Sequence, residues 1–398
     1  MKNLFKKLTL LILVVSMAVF AIACDGDSED IVQVTGELNY QLMTGTKTNE
    51  LGEEVSYQYY KVTGLQVSKE DTLKIEEGKY DEIDAEFRKL EIPETHKGVR
   101  VEEIDAAAFA NQLILKEVVI GNHIKTIGAG AFSGCTNLES IVIPFTGKSI
   151  DATNSERLFG HIFGSGATNE GNTEITAKVH ARKNSVDGSD IIAGEDITFL
   201  VPTSLTSVKV TESEIISECA FYGMTTLKSV VFDKATEIES HAFYGCTSLQ
   251  EFDISKITNI YQYAFAGCNS LKKVNFDKAE VLEIIDDKAF SGCVYLLSNS
   301  VSNSEELLTL TFCDKVKEIR RSAFSDCSKI KYVDLTNVER VEDLAFSGCF
   351  DLKKATLNTN AYYGESVFKD CSSLEEKNIF NKENININRL LGKTDTEE

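Results

Sequence analysis

The chain has 398 residues, and 42% of them are apolar, so it can bury a continuous core and is not a wholly disordered protein. Its formal net charge of −21 opposes binding to phosphate backbones and to anionic lipid headgroups. We therefore expect no nucleic-acid partner and no attachment to a membrane through a basic face.

The first 23 residues have the composition of a targeting segment. A stretch with three lysines comes first, an apolar run extends from Leu8 to Ile22, and small residues stand directly before Cys24. This order is typical of a secretory signal, and the run is short for a bilayer span. We predict a lipoprotein signal peptide over residues 1–23; a plain secretory signal and a single membrane helix are the alternatives.

Cys24 suggests a lipid anchor. The segment Ala21-Ile22-Ala23-Cys24 resembles the lipobox of bacterial lipoproteins, although Ala21 stands where leucine is common. The resemblance implies that the Cys24 sulfur receives diacylglycerol, and several acyl chains on one residue anchor a protein to the membrane durably. Residues 24–36 would then be an acidic tether, and the mature part would carry a net charge of −24. Residues 37–98 are predicted to form a strand-rich N-terminal cap.

The strongest pattern is a repeat of about 22 residues. In each unit an alanine or valine precedes a phenylalanine, an aliphatic residue or tyrosine stands five residues before it, and a leucine or isoleucine stands six residues after it. Cysteine stands three residues after it in seven of nine units. The phenylalanines are Phe109, Phe132, Phe221, Phe243, Phe265, Phe290, Phe324, Phe346 and Phe368.

Each unit predicts one coil of a solenoid. In residues 227–232 the apolar positions alternate from Val230 onward, which predicts a half-buried strand. The Ala-Phe segment is too short for an ordinary helix and predicts a turn or a 3₁₀ segment. One unit cannot bury its own apolar side, whereas stacked units share a core and line one face with parallel strands.

The repeat resembles the BspA-like leucine-rich repeat family, most plainly over residues 127–138, and the match covers residues 99–145 and 205–375. The resemblance implies an α/β-type repeat: a leucine-rich-repeat solenoid with a parallel β-sheet on one face and short turns or 3₁₀ segments on the other. Twelve residues represent the expected repeat core: Phe132, Cys135, Leu138, Phe243, Cys246, Leu249, Phe265, Cys268, Leu271, Phe346, Cys349 and Leu352.

Some stretches depart from the period. Phe132 and Phe221 are 89 residues apart, close to four periods, so residues 146–204 are predicted to hold degenerate repeats and an insertion loop. The Gly-, Asn-, Asp- and Ser-rich residues 164–195 predict a protruding loop, which either binds a ligand or is functionally silent. A smaller insertion spans Leu297 to Glu306, and the polar tail 376–398 is expected to fray.

The cysteines and histidines show no catalytic or metal-binding spacing. Seven of ten cysteines share one repeat position, which favours a ladder of small buried thiols over disulfides between adjacent coils. The chain has no Cys-x-x-Cys pair, His-Glu-x-x-His motif, nucleophile elbow or phosphate-binding glycine loop. We predict no catalytic residues, no metal and no cofactor, and hence no enzyme.

The strand-lined face is the predicted binding surface. Its charge changes from acidic to basic between two neighbouring units, and one tyrosine offers an aromatic anchor of the kind common at binding hot spots. A merely solvated face is the alternative. Strand alternation places seven candidate residues outward: Glu251, Asp253, Lys273, Asn275, Tyr332, Asp334 and Lys354.

The family resemblance also implies a function, because relatives include surface adhesins. We expect a monomeric, non-catalytic protein of the bacterial envelope, lipid-anchored on the extracytoplasmic side, that binds proteins of a host or neighbouring cell. The alternative is an accessory lipoprotein that binds a glycan or another substrate. That alternative predicts aromatic platforms in the insertion, yet Phe199 is the only phenylalanine, tyrosine or tryptophan in residues 164–200.

Overall fold

The computed structural model describes residues 37–67, 69–79, 82, 88–165, 171–179, 195–296 and 309–393. The predicted signal peptide, Cys24, the tether and the insertion from Leu297 to Glu306 lie outside the described residues. Over the described ranges the chain forms a stack of coils, and each regular coil contains a strand, a second short strand and a tight turn.

An N-terminal cap covers the first coil. Strands β1 (Leu38–Thr48) and β2 (Glu54–Leu65) form an antiparallel hairpin, and helix α1 (Lys69–Glu76) follows them. Strand β2 pairs in parallel with residues of the first coil, where Tyr60 lies beside Val101. The cap therefore supplies backbone partners to an end of the stack that would otherwise be open.

Each coil places one strand on the same side of the solenoid, which we call the strand-lined face. The strands form three successive sheets, and within each sheet they pair in parallel and in register, so that Ser207 lies between Ser140 and Ser229. In chain order they are β3 (Lys89–Ile92), β6 (Glu117–Ile120), β8 (Ser140–Ile143), β11 (Ser207–Val210), β13 (Ser229–Phe232), β15 (Glu251–Phe252), β17 (Lys273–Val274), β19 (Thr309–Thr311), β21 (Tyr332–Asp334), β23 (Lys354–Thr356) and β25 (Ile379–Phe380). The predicted solenoid with a parallel sheet on one face is confirmed.

A second line of parallel strands, divided into two sheets, lies where the sequence predicted only turns. A short hairpin strand, β4 (Thr95–His96), precedes it and pairs antiparallel with its first member. Most of its strands have two residues, too few for alternation to be visible in the sequence, and they form because the neighbouring coil supplies backbone partners. They are β5 (Val99–Ile104), β7 (Thr126–Ile127), β12 (Ile215–Ile216), β14 (Glu237–Ile238), β16 (Asn259–Ile260), β18 (Ile284–Ile285), β20 (Glu318–Ile319), β22 (Arg340–Val341) and β24 (Tyr362–Tyr363).

The repeat phenylalanines stack into a column inside the solenoid. Ring centroids from Phe221 through Phe243 and Phe265 to Phe290 are 5.0–5.3 Å apart, with ring planes within 9° of parallel. Burial of each ring contributes about 2–3 kcal/mol, and each stacked pair adds about 1 kcal/mol. All twelve residues chosen to represent the repeat core are fully buried around this column.

Two left-handed residues bracket every Ala-Phe turn. One stands two residues before the phenylalanine, as in His241 (φ 59°), and the other stands two residues after it, as in Gly245 (φ 71°). The two reversals prevent the segment from continuing as a helix and turn it toward the next coil. The Phe243 N–H donates to the Ala264 carbonyl of that coil at 2.8 Å.

The 89 residues from Phe132 to Phe221 contain one degenerate coil and one hairpin, not four periods. Strand β8 pairs directly with β11, and the 3₁₀ segments Asn154–Arg157 and Phe159–Ile162 replace the usual turn. Strands β9 (Asn172–Val179) and β10 (Glu195–Pro202) form the antiparallel hairpin. The prediction of a loop across residues 164–195 is thus wrong at β9, where threonine, isoleucine and valine form a strand within a polar stretch.

The C-terminal segment closes the other end of the stack. Helix α2 (Ile387–Leu391) begins with an Asn386 side chain that accepts the Arg389 N–H, and Leu390 is 1% exposed. The Phe368 N–H of the last coil donates to the Leu390 carbonyl at 2.8 Å. The expectation that the tail frays is therefore wrong as far as residue 393, because the last coil must cover its own apolar side.

Candidate binding surface on the strand-lined face

Strand alternation decides which side chains this face presents. Val230 points into the core and is 5% exposed, whereas the next residue, Val231, is 48% exposed. Because the strands pair in register, equivalent residues of successive coils form straight rows across the face. A partner that lies along the solenoid axis would therefore meet one residue of each row after another.

Four of the seven predicted residues form one group. Glu251 and Lys273 are register neighbours, and their charged atoms are 4.0 Å apart. The Asn275 amide donates to the Asp253 carboxylate at 2.6 Å. Partial burial opposes ionisation of Asp253, but this amide and the Ser255 N–H hold its pKa below the ordinary value, so it is a fixed negative charge.

The other three predicted residues lie two or more coils further on, and strand β19 stands between the two groups. Tyr332 lies beside Lys354, and Asp334 accepts the Thr336 N–H at 3.0 Å. The Lys354 ammonium stands 5.0 Å from the ring centre of Phe380, which is 44% exposed. The seven candidates thus line one face, but they do not converge on a single point.

The stretch of the face from β8 to β13 has a different character. Its outward residues are mostly serine and valine, among them Ser140, Val142, Ser229 and Val231. Small side chains make this stretch flat, and the exposed valine adds apolar area. Charged residues flank it, with Lys89 and Glu117 on its N-terminal side.

The cysteine ladder is a structural feature of the core. Each ladder thiol donates to the carbonyl of the phenylalanine one coil earlier, as Cys246 does to Phe221 at 3.0 Å and Cys268 does to Phe243 at 3.1 Å. Burial raises the pKa of Cys246 to about 12, so its thiolate is not available as a nucleophile or ligand. None of the nine cysteines in the described residues forms a disulfide.

His123 and His161 are half-buried. Burial lowers the pKa of His123 and of His161, and their Nε2 atoms are buried without a hydrogen-bond partner. Within the described ranges no group of three histidine, cysteine or carboxylate side chains is placed to hold a metal ion.

The insertion presents no aromatic platform in its described part. Phe199 is 8% exposed and packs against Gly160, where an added Cβ would come within 2.3 Å of the ring. A shallow apolar pocket beside it is lined by residues that include Ile175, Val201 and Met224. Phe199 therefore packs the hairpin against the solenoid, and its ring is not exposed as a glycan-binding platform would be.

Coils of about 22 residues with an in-register parallel ladder define a leucine-rich-repeat solenoid. The family model described as a BspA type leucine rich repeat region matches the chain in six copies, over residues 53–156, 195–306 and 296–390. The chain belongs to this family, which confirms the resemblance seen in the repeat. Among the residues that the structure describes, no helix is long and apolar enough to cross a membrane.

Solved structures of bacterial leucine-rich repeat proteins are also similar. A protein from Bacteroides ovatus shares 20% identity over 87% of this chain and 70% of its own, with a TM-score of 0.40. A protein from Eubacterium ventriosum shares 15% identity over 84% of this chain and 96% of its own, with a TM-score of 0.36. A leucine rich cell surface protein from Faecalibacterium prausnitzii shares 17% identity over 87% of this chain and 95% of its own, with a TM-score of 0.29. No curated protein matches the chain.

Sequence reasoning missed two features of the face. Phe380 was assigned to a polar tail, yet it is a half-exposed ring beside Lys354. A row of lysines directly after the repeat leucine or isoleucine was also overlooked, although its constant offset was visible in the sequence: Lys228, Lys272, Lys331 and Lys353.

Proposed function

We propose that this chain is a non-catalytic, lipid-anchored protein of the bacterial envelope that binds another protein through its strand-lined face. The observation that carries the proposal is the face itself, a line of strands from β3 to β25 that pair in register within each sheet, with exposed charges and rings in its C-terminal half. Straight rows of outward side chains suit an extended partner. Membership of the BspA-type family and the predicted lipobox support the location.

A pair of cross-linking positions tests the binding face. Val231 on the strand-lined face and Ile215 on the second line of strands are 48% and 46% exposed, so a photo-reactive residue at either place meets solvent equally. Each variant would be expressed in its native cell type, illuminated with neighbouring or host cells, and analysed by mass spectrometry. We expect a protein adduct from position 231 and none from position 215.

The alternative outcomes are distinct. Adducts at both positions, or at neither, would contradict a partner on the strand-lined face. Adducts that disappear on glycosidase treatment would favour the glycan-binding alternative.

For the anchor, we expect Cys24→Ser to move the protein from the membrane fraction to the medium, and retention of this variant in the membrane would contradict lipid attachment at Cys24.

A further inference from the structure

Six exposed lysines lie along the strand-lined face between the coil of β13 and the coil of β23, and we call them the basic patch. Four follow the repeat leucine or isoleucine, and two occupy the first outward position of a strand. The patch consists of Lys228, Lys272, Lys273, Lys331, Lys353 and Lys354. It lies on a chain whose net charge is −21, so carboxylates to neutralise it are plentiful in the sequence.

Within the part of the chain that the structure describes, no carboxylate forms a close ion pair with the basic patch. Lysines elsewhere on the coils pair closely, as Lys116 does with Glu139 at 3.1 Å and Lys209 does with Asp233 at 3.0 Å. In the patch, Lys273 reaches Glu251 only at 4.0 Å. No carboxylate of the described residues forms an ion pair with the other five lysines, Lys228, Lys272, Lys331, Lys353 and Lys354.

Stacking places Lys331 and Lys353 in adjacent coils, whereas Gln250 lies between Lys228 and Lys272. The Lys353 N–H donates to the Lys331 carbonyl at 2.7 Å, so the two residues occupy the same place in successive coils. The Lys272 N–H donates to the Gln250 carbonyl at 2.8 Å, and the Gln250 N–H donates to the Lys228 carbonyl at 3.2 Å. Like charges on adjacent strands destabilise a sheet, and an acidic partner would remove that cost.

The face also contains carboxylates and rings between the lysines. Glu251, Asp253 and Asp334 interrupt the patch, and Tyr332 and Phe380 present aromatic surface beside Lys354. A uniform polyanion such as a sulfated polysaccharide would pass over these carboxylates and be repelled. A protein segment can place its acidic and apolar side chains selectively.

We infer that the basic patch receives an extended acidic segment of the partner protein, with an apolar side chain placed against Tyr332 and Phe380. This inference rests on the proposed function and names the chemistry of the partner. The segment would lie along the solenoid axis from the Lys228 coil to the Lys354 coil. Its carboxylates would pair with the lysines, so its affinity would fall as salt concentration rises.

Peptide selection against the full protein tests the inference. A random twelve-residue phage library would be panned, and one enriched peptide would be synthesised with a fluorescent label. Its affinity would be measured by fluorescence polarisation for the protein, for a patch variant (Lys331→Glu, Lys353→Glu, Lys354→Glu) and for a control variant. The control, Lys69→Glu, Lys315→Glu and Lys393→Glu, makes the same charge change at exposed lysines off this face.

We expect enriched peptides to be acidic and to contain an aromatic or aliphatic residue. The patch variant should bind at least about tenfold more weakly, and the control should bind less than about threefold more weakly. A triple Lys→Gln patch variant with an unchanged urea midpoint keeps the result interpretable if charge reversal unfolds the face. Enriched peptides without net negative charge, or equal losses in both variants, would overturn the inference.

Heparin provides the second arm. If heparin binds the protein and the patch variant abolishes that binding while no acidic peptide is enriched, the partner is a polyanion and the inference is wrong. If a partner is cross-linked at position 231 but binds the patch variant with the same affinity as the unmodified protein, the inference is overturned and the proposed function is not. Absence of any adduct at position 231 would overturn the proposed function.

Discussion

The uniform coils at residues 216–290 and the irregular coil at residues 140–205 hold the same stack together by different means. In the uniform coils, Phe243 has a parallel ring on each side, at 5.3 and 5.0 Å. In the irregular coil, Phe159 has a near-parallel ring on one side, Phe221 at 5.0 Å, and meets Phe163 of its own coil edge-on. A phenylalanine of the uniform coils thus continues the ring column on both sides, whereas Phe159 of the irregular coil continues it on one side.

A buried ionic triad joins the irregular coil to the two coils that follow it. The Arg157 guanidinium lies 2.9 Å from Glu218 and 3.2 Å from Glu239, and all three side chains are at most 15% exposed. Buried ion pairs fix geometry but add little net stability, since each charge loses its hydration. The comparison shows that directional polar contacts fix the register where sequence identity between coils is lost.

Removal of the triad's cation should give the largest effect. We expect Arg157→Met to destabilise the protein by about 3–5 kcal/mol, because two buried carboxylates lose the attraction of the guanidinium. The matched control is Arg321→Met, which breaks the 3.2 Å pair with Asp343 at a site where the arginine is 61% exposed; it should cost less than about 1 kcal/mol. Urea denaturation measures both, and similar losses would contradict a special role for the triad.

Two glycine substitutions should separate overpacking from backbone strain. Gly160→Ala in the irregular coil places a Cβ 2.3 Å from the Phe199 ring, so we expect a loss of about 2 kcal/mol. Gly245→Ala in a uniform coil meets only the Gly223 Cα at 3.8 Å, and its cost should be the left-handed backbone alone, about 1 kcal/mol. Thermal unfolding would show the order, and the reverse order would refute the hairpin contact.

The ring column can be tested at two fully buried phenylalanines. Phe243→Leu removes two stacked neighbours and Phe159→Leu removes one, so we expect the former to cost about 1 kcal/mol more. Because both rings are 0% exposed, the loss of burial is equal and cancels in the difference. Equal free energies of unfolding would show that stacking contributes nothing beyond burial.

The smallest expected effect depends on pH. Burial lowers the pKa of His161 from 6.5, so the unfolded chain takes up a proton near pH 6.5 that the folded chain resists. Stability should therefore fall as pH drops below 6.5, until the folded-state pKa is passed, by less than about 1 kcal/mol from this group. Urea midpoints at pH 7.5 and 5.0 should differ less in His161→Gln, and an unchanged difference would contradict this assignment.

Nine occurrences of one pattern made the solenoid predictable. Each repeat independently places phenylalanine, leucine and a small residue at the same offsets, so a departure such as Met224 in one unit does not obscure the period. Alternation within the strands was similarly sufficient to separate Val230 from Val231. Local patterns of this kind depend only on residues close together in the chain.

Features that depend on contacts between distant segments were not visible in advance. The hairpin strand β9 was predicted as part of a loop, and the residues around Leu390 were expected to fray, because in each case the stabilising surface belongs to another coil. The Arg157 triad joins residues 61 and 82 positions apart. Which lysines remain without a carboxylate likewise depends on how neighbouring coils align.

The amino-acid sequence alone therefore determined the period, the core residues and the outward rows, since each follows from spacing within a unit. The three-dimensional packing alone decided how the ends are capped, how the irregular coil is joined to its neighbours, and which lysines of the described coils have no carboxylate beside them. These outcomes are set by side chains that meet across coils, where distance in space is unrelated to separation in the chain.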